Sequence, residues 1–221
     1  MIRIIRENKG FFACFAIFVV AGAWYIFEYP KGHDVLLLNR LHGGFIDYIF
    51  RFLTYLGDGY AYVVFILLLL FFRFYYALIA LVSSIGGGLL GQLAKRIFFP
   101  DQPRPKLYFK DLKDLSFLDG VEVHSYFSFP SGHTITAFTI FLLIALMVNN
   151  KRLGMLFFCG AFLTGISRIY LVQHFFMDVY AGAIIGTMVT LLVYYIFHKF
   201  INVDKNPWLN RRLYRRTKAV E

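Results

Sequence analysis

The stretch from 153 to 198 reads LGMLFFCGAFLTGISRIYLVQHFFMDVYAGAIIGTMVTLLVYYIFH. It contains two apolar runs, 153–171 and 177–198, and its two charged residues, Arg168 and Asp178, lie close to the joint between them. A helix rises 1.5 Å per residue, so about 20 mainly apolar residues are needed to cross the roughly 30 Å hydrocarbon core of a bilayer. Two such runs in succession indicate a chain that crosses a membrane and returns.

Further apolar runs extend this pattern along the chain, at 11–29, 58–73, 76–94 and 131–149. The run at 58–73 needs the flanking residues Tyr60 and Tyr62 to reach its length. Six runs predict an all-α fold in the form of a polytopic membrane protein with a six-transmembrane-helix bundle. We expect one membrane-embedded domain over residues 1–221.

The composition excludes the other broad classes of protein. Hydrophobic residues make up 59% of the chain and charged residues 16%, against about 45–50% and 25% in soluble domains. A soluble domain of this size cannot hide so much apolar surface in one core, and the same numbers exclude a disordered chain. Cys14 and Cys159 lie inside apolar runs, which predicts that they act as small hydrophobes rather than as a disulfide or a metal pair.

The first run is predicted to be a retained anchor rather than a cleaved signal. Arg3, Arg6 and Lys9 precede it, as basic residues precede a secretory signal, but no small-residue cleavage site ends it. The aromatic stretch 24–29 closes the run instead, which suits a helix end at the membrane interface.

The charge distribution predicts the orientation. Six crossings place both termini on one side, which carries 13 Lys and Arg against 3 Asp and Glu, whereas the other side carries 10 of each. The positive-inside rule makes the basic side cytoplasmic, so we expect an inner-membrane protein whose other face is periplasmic or extracellular. The basic tail 199–221 is predicted to touch anionic lipid headgroups, and nucleic acid is the disfavoured alternative partner.

Two segments are assigned to the outer side. Residues 30–57 mix apolar and charged positions at roughly helical spacing, which predicts an interfacial helix along the membrane. Residues 95–130 contain Pro100, Pro103 and Pro105, which forbid a regular helix there, and this segment is predicted to form a periplasmic loop over the active site. Its aromatic residues fit two interpretations equally well, a lid that covers the pocket or a set of anchors at the membrane interface. They are Tyr108, Phe109, Phe117, Tyr126 and Phe127.

Polar residues that are costly near a bilayer form three clusters on the outer side, and such residues indicate function. The clusters are Lys95 with Arg104; Ser131, Gly132 and His133; and Arg168, His174 and Asp178. Several fixed cations around one pocket suit a multiply charged anion, and the planar fork of Arg matches phosphate oxygens.

The second cluster predicts an anion cradle. Ser131 follows Pro130 and opens a long helix, so it is a natural N-cap. The free backbone N–H groups that follow it lie at the positive end of the helix, and Gly132 removes side-chain bulk there.

The third cluster predicts nucleophilic chemistry. His174 and Asp178 are four residues apart, which places them on one helical face, and a carboxylate beside an imidazole fixes its tautomer. The other ring nitrogen is then free to attack phosphorus, and His133 can donate a proton to the leaving oxygen. The sequence contains no H-x-x-x-H or H-E-x-x-H pattern, so we predict phosphoryl transfer with no metal or other cofactor.

These residues resemble the type 2 phosphatidic acid phosphatase superfamily, which includes vanadium haloperoxidases and glucose-6-phosphatase-like enzymes. The second and third family signatures are complete, as Pro130-Ser131-Gly132-His133 and as Ser167-Arg168 with His174 and Asp178 at full spacing. The signatures lie within 95–178, and the six-crossing outline resembles the bacterial integral-membrane branch.

The first signature, Lys and Arg-Pro separated by six residues, departs from the family pattern. Eight residues separate Lys95 from Arg104-Pro105, and seven separate Arg96 from it. We assign the lysine role to Lys95 and keep Arg96 as its rival. The resemblance implies that Lys95, Arg104 and Arg168 bind phosphate with the cradle of Ser131 and Gly132. It implies His133 as general acid, His174 as nucleophile, Asp178 as its partner, and no metal.

The leading functional hypothesis is a lipid phosphatase that acts at the outer face of the membrane. The resemblance implies a substrate such as undecaprenyl diphosphate, placed first, or phosphatidic acid, phosphatidylglycerol phosphate or a lipid A phosphate. The alternatives are a vanadate-dependent haloperoxidase and a non-catalytic transporter of anionic lipid. The sequence predicts neither the particular lipid nor the oligomeric state.

Overall fold

The computed structural model describes residues 1–112, 115–201 and 205–213. In these ranges the chain forms helices and no strands. The helices are α1 (Ile2–Glu7), α2 (Lys9–Glu28), α3 (His33–Asn39), α4 (Gly44–Tyr55), α5 (Gly59–Phe72), α6 (Phe74–Leu93), α7 (Pro105–Tyr108), α8 (Gly132–Met147), α9 (Gly154–Tyr170) and α10 (Phe176–Phe200). A π-helical turn, Ala94–Phe98, extends α6, and short 3-10 turns occupy Lys151–Leu153 and Pro207–Asn210.

The six apolar runs of the sequence all form helices. They correspond to α2, α5, α6, α8, α9 and α10, and every predicted end lies within two residues of the observed one. Apolar patterning thus locates these helices well, because each run is bounded by charged or turn-forming residues.

Four of these helices are long and apolar enough to cross a membrane in the described part of the chain. The spans are Lys9–Glu28, Phe74–Phe98, Lys151–Tyr170 and Phe176–Phe200. The pair α4 and α5, bent by 55°, would supply a fifth span, whereas α8 is a shorter apolar helix of 16 residues. The fold is therefore that of an all-helical membrane protein with four or five candidate spans, and six crossings stay a prediction.

The single interfacial helix expected over 30–57 is wrong. The structure has two short helices there, α3 and α4, separated at residues 40–43. Gly43, the residue before α4, and Gly44, its first residue, have φ values of 143° and 55°, which lie outside the right-handed helical range and which glycine adopts without steric cost.

The centre of the molecule is the crossing of α8 with α10. A Cβ atom built on Gly182 would lie 2.7 Å from the Ser131 carbonyl oxygen, and one built on Gly186 would lie 2.6 Å from that of Ile135. Glycine is therefore required for this close approach of the two backbones. The crossing brings the start of α8 beside the start of α10, where the Ser131 N–H donates to the Asp178 carbonyl oxygen at 3.0 Å.

Aromatic rings fill the space between this crossing and α2. Phe138 of α8 is fully buried and contacts the rings of Phe15, Phe18 and Phe158. The three prolines after the π-helical turn limit helix formation as expected, since the described residues of 99–130 contain only α7. This helix begins at Pro105, a first-turn position that proline tolerates.

Candidate active site

A cavity of about 400 Å³ lies where α6 and α9 end and where α8 and α10 begin. Six of the eight predicted site residues line it: Lys95, Arg104, Gly132, His133, Arg168 and His174. The other two, Ser131 and Asp178, are buried and bonded to residues of the same site. The structure therefore brings all three sequence clusters together. Residues 120–122 and His124 of the predicted loop border the same cavity.

The imidazole of His174 is held by a buried carboxylate. His174 is 2% exposed, and its Nδ1 lies 3.4 Å from Asp178 Oδ2. That oxygen also accepts from the Phe175 N–H at 2.9 Å and from Ser128 Oγ at 2.5 Å. Because Nδ1 faces the carboxylate, Nε2 is the ring nitrogen left for chemistry.

The expectation that His174 and Asp178 share one helical face is wrong. Helix α10 begins at Phe176, so His174 lies before the helix and Asp178 lies in its first turn. The two side chains meet because Asp178 folds back over the helix start and accepts the Phe175 N–H, as an acidic residue in a first turn commonly does.

The surroundings of His174 keep its ring neutral. Burial lowers the pKa of His174 well below its ordinary value, and the positive charges of Arg104, Arg168 and Lys95 lower it further. A neutral imidazole has a lone pair for attack on phosphorus, whereas the imidazolium has none.

Two buried guanidinium groups face the cavity. Arg104 is fixed by its Nε, which donates to the Tyr126 carbonyl oxygen at 2.9 Å, and by its Nη1, which donates to Gln173 Oε1 at 3.1 Å. Burial lowers the pKa of Arg104, and the Asp178 carboxylate opposes this shift. Arg168 Nη1 donates to Thr54 Oγ1 at 2.6 Å, while its buried Nε has no partner among the described residues. Arg168 therefore has an N–H group that can donate to a bound anion.

The two candidates for the first-signature cation differ in position. Lys95 lines the cavity, whereas Arg96 is exposed and its Nε donates to Gln92 at 3.2 Å. A π-helix has more residues per turn than an α-helix, so the π-helical turn Ala94–Phe98 accommodates part of the additional sequence between Lys95 and Arg104.

The start of α8 has the two features predicted for an anion cradle, a capping side chain and free backbone N–H groups. Ser131 is fully buried, and its Oγ accepts from the Thr134 N–H at 3.4 Å and from Thr134 Oγ1 at 2.9 Å. Its hydroxyl therefore caps the helix. Gly132 and His133 line the cavity, and their N–H groups belong to the first turn, which has no intrahelical acceptors.

Three residues that the sequence analysis did not single out contact the predicted ones. Thr54 accepts from Arg168, Gln173 accepts from Arg104, and Asp58 Oδ2 lies 3.6 Å from His133 Nε2. Asp58 is the first residue of the apolar run 58–73, and an Asp at the start of such a run is an N-cap signal. Nothing in the sequence connects it with His133. Among the described residues, no group of three or more His, Cys, Asp or Glu side chains could hold a metal ion.

The fold and the site define the class of this protein as a helical membrane protein with a cationic, histidine-containing pocket. Its family follows from sequence comparison: the profile of the PAP2 superfamily matches residues 74–202, more than half of the chain, and the chain belongs to this family.

Relatives and a solved structure agree with this membership. The chain is 38% identical over 121 residues to the bacitracin transport permease protein BcrC of Bacillus licheniformis, covering 54% of this chain and 53% of that protein. It is 27% identical over 172 residues to the lipid A 4'-phosphatase of Bacteroides thetaiotaomicron, covering 75% and 76%. The crystal structure of Aquifex aeolicus LpxE superposes with a TM-score of 0.66 at 29% identity, covering 77% of this chain and 98% of that one. The chain thus spans about half the length of BcrC.

Proposed function

We propose that this protein is a lipid phosphatase that hydrolyses a phosphate monoester or diphosphate of a membrane lipid through a phosphohistidine, without a metal. The observation that carries the proposal is the placement of a buried, carboxylate-bound His174 in one cavity with Lys95, Arg104 and Arg168. The lipid A 4'-phosphatase relative supports lipid phosphates as the substrate class.

The reaction proceeds in two displacements. His174 Nε2 attacks phosphorus, the bond from phosphorus to the lipid oxygen breaks, and His133 gives that oxygen a proton. Water then attacks the phosphohistidine, His133 takes a proton from the water, and the phosphorus–nitrogen bond breaks to release inorganic phosphate. The three cations and the N–H groups of Gly132 and His133 stabilise the negative charge on the equatorial oxygens.

Undecaprenyl diphosphate is the first choice of substrate. Arg51 is a further cation on the cavity wall, outside all three signatures, and its buried Nε has no partner among the described residues. An additional donor of this kind suits a second phosphoryl group. Phosphatidic acid, phosphatidylglycerol phosphate and lipid A phosphates are the other candidates. The proposed site faces outward from the cytoplasmic membrane, with both termini inside.

The experiment is phosphate release by the purified protein in detergent from each of these lipids, with and without EDTA. We expect release from at least one lipid, undiminished by EDTA, and abolished in His174→Ala while vanadate still binds. No release from any lipid, or loss of release with EDTA, refutes the proposal.

A non-catalytic transporter of anionic lipid is the second candidate, and BcrC, a relative named as a bacitracin transport permease protein, favours transport as an activity of the fold. A transporter uses the cations but has no need of an oriented nucleophile. If cells that carry only His174→Ala keep the full function of the wild-type gene, the transporter replaces the phosphatase.

A further inference from the structure

The junction of α4 with α5, residues 54–58 with the sequence TYLGD, reaches the cavity from outside the matched family region. Thr54, Tyr55 and Asp58 all line the cavity beside His133 and Arg168. No residue of this junction belongs to the three signatures, so its contribution to the site has to be read from its contacts.

We propose that Asp58 is a positioning residue for His133, which it orients and stabilises as the proton donor to the leaving oxygen. The inference rests on the proposed function. Asp58 Oδ2 lies 3.6 Å from His133 Nε2, and both side chains are about one third exposed, at 35% and 30%. A distance of 3.6 Å is longer than a hydrogen bond, and catalytic contacts of this kind commonly shorten when substrate binds.

The two oxygens of the Asp58 carboxylate have different partners. Oδ1 accepts the Tyr60 N–H at 2.9 Å as the N-cap of α5, which fixes the carboxylate relative to the helix. Oδ2 is therefore held toward His133 by backbone geometry and not by a freely rotating side chain. The cap makes the carboxylate a rigid partner for the imidazole.

The backbone of the junction packs directly on His133. A Cβ atom built on Gly57 would lie 2.6 Å from the His133 carbonyl oxygen and 3.0 Å from Thr164 Cγ2. Glycine at 57 thus permits the approach that places the next residue, Asp58, at the imidazole. Thr54 makes the second polar contact of the junction, through the 2.6 Å hydrogen bond that its Oγ1 accepts from Arg168.

This geometry assigns the two ring nitrogens of His133 different tasks. Burial and the charge of Arg168 lower the pKa of His133, and the Asp58 carboxylate, which faces Nε2, opposes this shift and so supports the protonated ring. Nδ1–H is then the group that protonates the leaving oxygen. When the leaving group is an alcohol, the departing oxygen needs this proton. When the leaving group is itself a phosphate, it departs as a stable anion and needs the proton far less.

The test compares two substrates that share one lipid, dioctanoyl phosphatidic acid and dioctanoylglycerol diphosphate, with the full-length protein. In single turnovers at saturating lipid, which report the departure of the leaving group before the hydrolysis common to both substrates, we expect Asp58→Asn to slow the reaction of phosphatidic acid by about 30-fold or more and that of the diphosphate by less than about 5-fold. Asp58→Ser should show the same pattern. Asn and Ser keep the N-cap, so the thermal stability of both variants should match the wild type. Asp101→Asn, at an exposed carboxylate, is the matched control and should change neither activity.

The result on each substrate tests the positioning role of Asp58 separately. An unchanged single-turnover rate of Asp58→Asn on phosphatidic acid, or an equal large fall of that rate on both substrates, overturns the positioning role. If only the diphosphate is a substrate, a fall of more than about 30-fold on it has the same meaning. Release from neither lipid by the wild-type protein is a different failure, since it refutes the proposed function on these lipids before Asp58 is tested.

Discussion

At the residue scale, the site depends on an imidazole that the fold keeps neutral among cations. His174 is buried beside Arg104 and Arg168, so the charged form of its ring is disfavoured, and its Nδ1 is turned toward Asp178. A nucleophile of this kind has one reactive nitrogen and one oriented nitrogen. The roles of both residues follow from this asymmetry.

Asp178→Asn tests the orientation of the nucleophile. An amide carries no charge, and its N–H group can face Nδ1 in place of the carboxylate oxygen, so the favoured tautomer of His174 is lost. We expect kcat to fall by about 10²–10⁴-fold. Vanadate affinity should stay within about threefold, because the three cations remain. An unchanged kcat would show that Asp178 only caps α10.

Lys95 and Arg96 form a matched pair of neighbouring cations with different positions. Lys95 lines the cavity and Arg96 lies on the exposed side of the same π-helical turn. We expect Lys95→Ala to lower kcat/KM by about 10–150-fold, the value of a lost charge-assisted hydrogen bond, and Arg96→Ala to have almost no effect. The reverse result in a phosphate-release assay would transfer the phosphate-binding role to Arg96.

The sequence predicted the members of the site better than their geometry. The signatures identify residues that the structure gathers in or directly beneath one cavity. They do not indicate that the Ser131 hydroxyl is occupied by Thr134, or that Thr54 and Asp58 approach from another helix junction. Those contacts depend on tertiary packing, which leaves no local pattern.

At the element scale, the close crossing of α8 and α10 sets the distance between the cradle and the nucleophile. A Cβ at Gly186 would lie 2.6 Å from the Ile135 carbonyl oxygen and 3.2 Å from its Cα, so neighbouring backbone blocks any larger residue. A Cβ atom built on Gly88 of α6, by contrast, would meet no neighbouring atom within 4 Å.

Gly186→Ala and Gly88→Ala therefore separate packing from helix propensity. We expect Gly186→Ala to lower the free energy of unfolding by about 1–3 kcal/mol through overpacking. Gly88→Ala should leave it unchanged or raise it by up to about 1 kcal/mol, the propensity gain of alanine. Thermal unfolding in detergent measures both. A Gly186→Ala protein as stable as Gly88→Ala would show that the crossing can widen without cost.

Long apolar helices were predictable within two residues, whereas short elements were not. Apolar patterning is a sum over about 20 residues, so single exceptions do not disturb it. The break between α3 and α4 includes the positive φ values of Gly43 and Gly44, a local feature that apolar patterning does not register. The start of α10 likewise depends on its local cap, so His174 lies before the helix and does not share a helical face with Asp178.

At the scale of the whole molecule, the strongest signal is the charge asymmetry. The formal charge of +10 is predicted to lie on the side of the termini. Part of that basic tail, at 202–204 and 214–221, lies outside the described residues. The cavity, its bordering loop and the start of α10 lie at one end of the candidate spans, which is the end that we propose to face outward.

Cysteine labelling in intact bacterial cells tests this orientation. In a protein with Cys14→Ala and Cys159→Ala, we expect a membrane-impermeant maleimide to label Asp119→Cys, in an exposed part of the loop, and not Arg3→Cys, on an exposed side chain of α1. Permeabilised cells should show label at both positions. Labelling of Arg3→Cys alone in intact cells would invert the molecule in the membrane.

The central claim is that the phosphoryl group passes through His174, and the most direct measurement is a rapid acid-free quench with lipid that carries ³²P in its phosphate. We predict label on the protein within one turnover, stable in alkali, lost in acid and assigned by peptide mapping to His174, with none in His174→Gln. Phosphate release at the normal rate with no labelled histidine, or with label on another residue, would contradict the account.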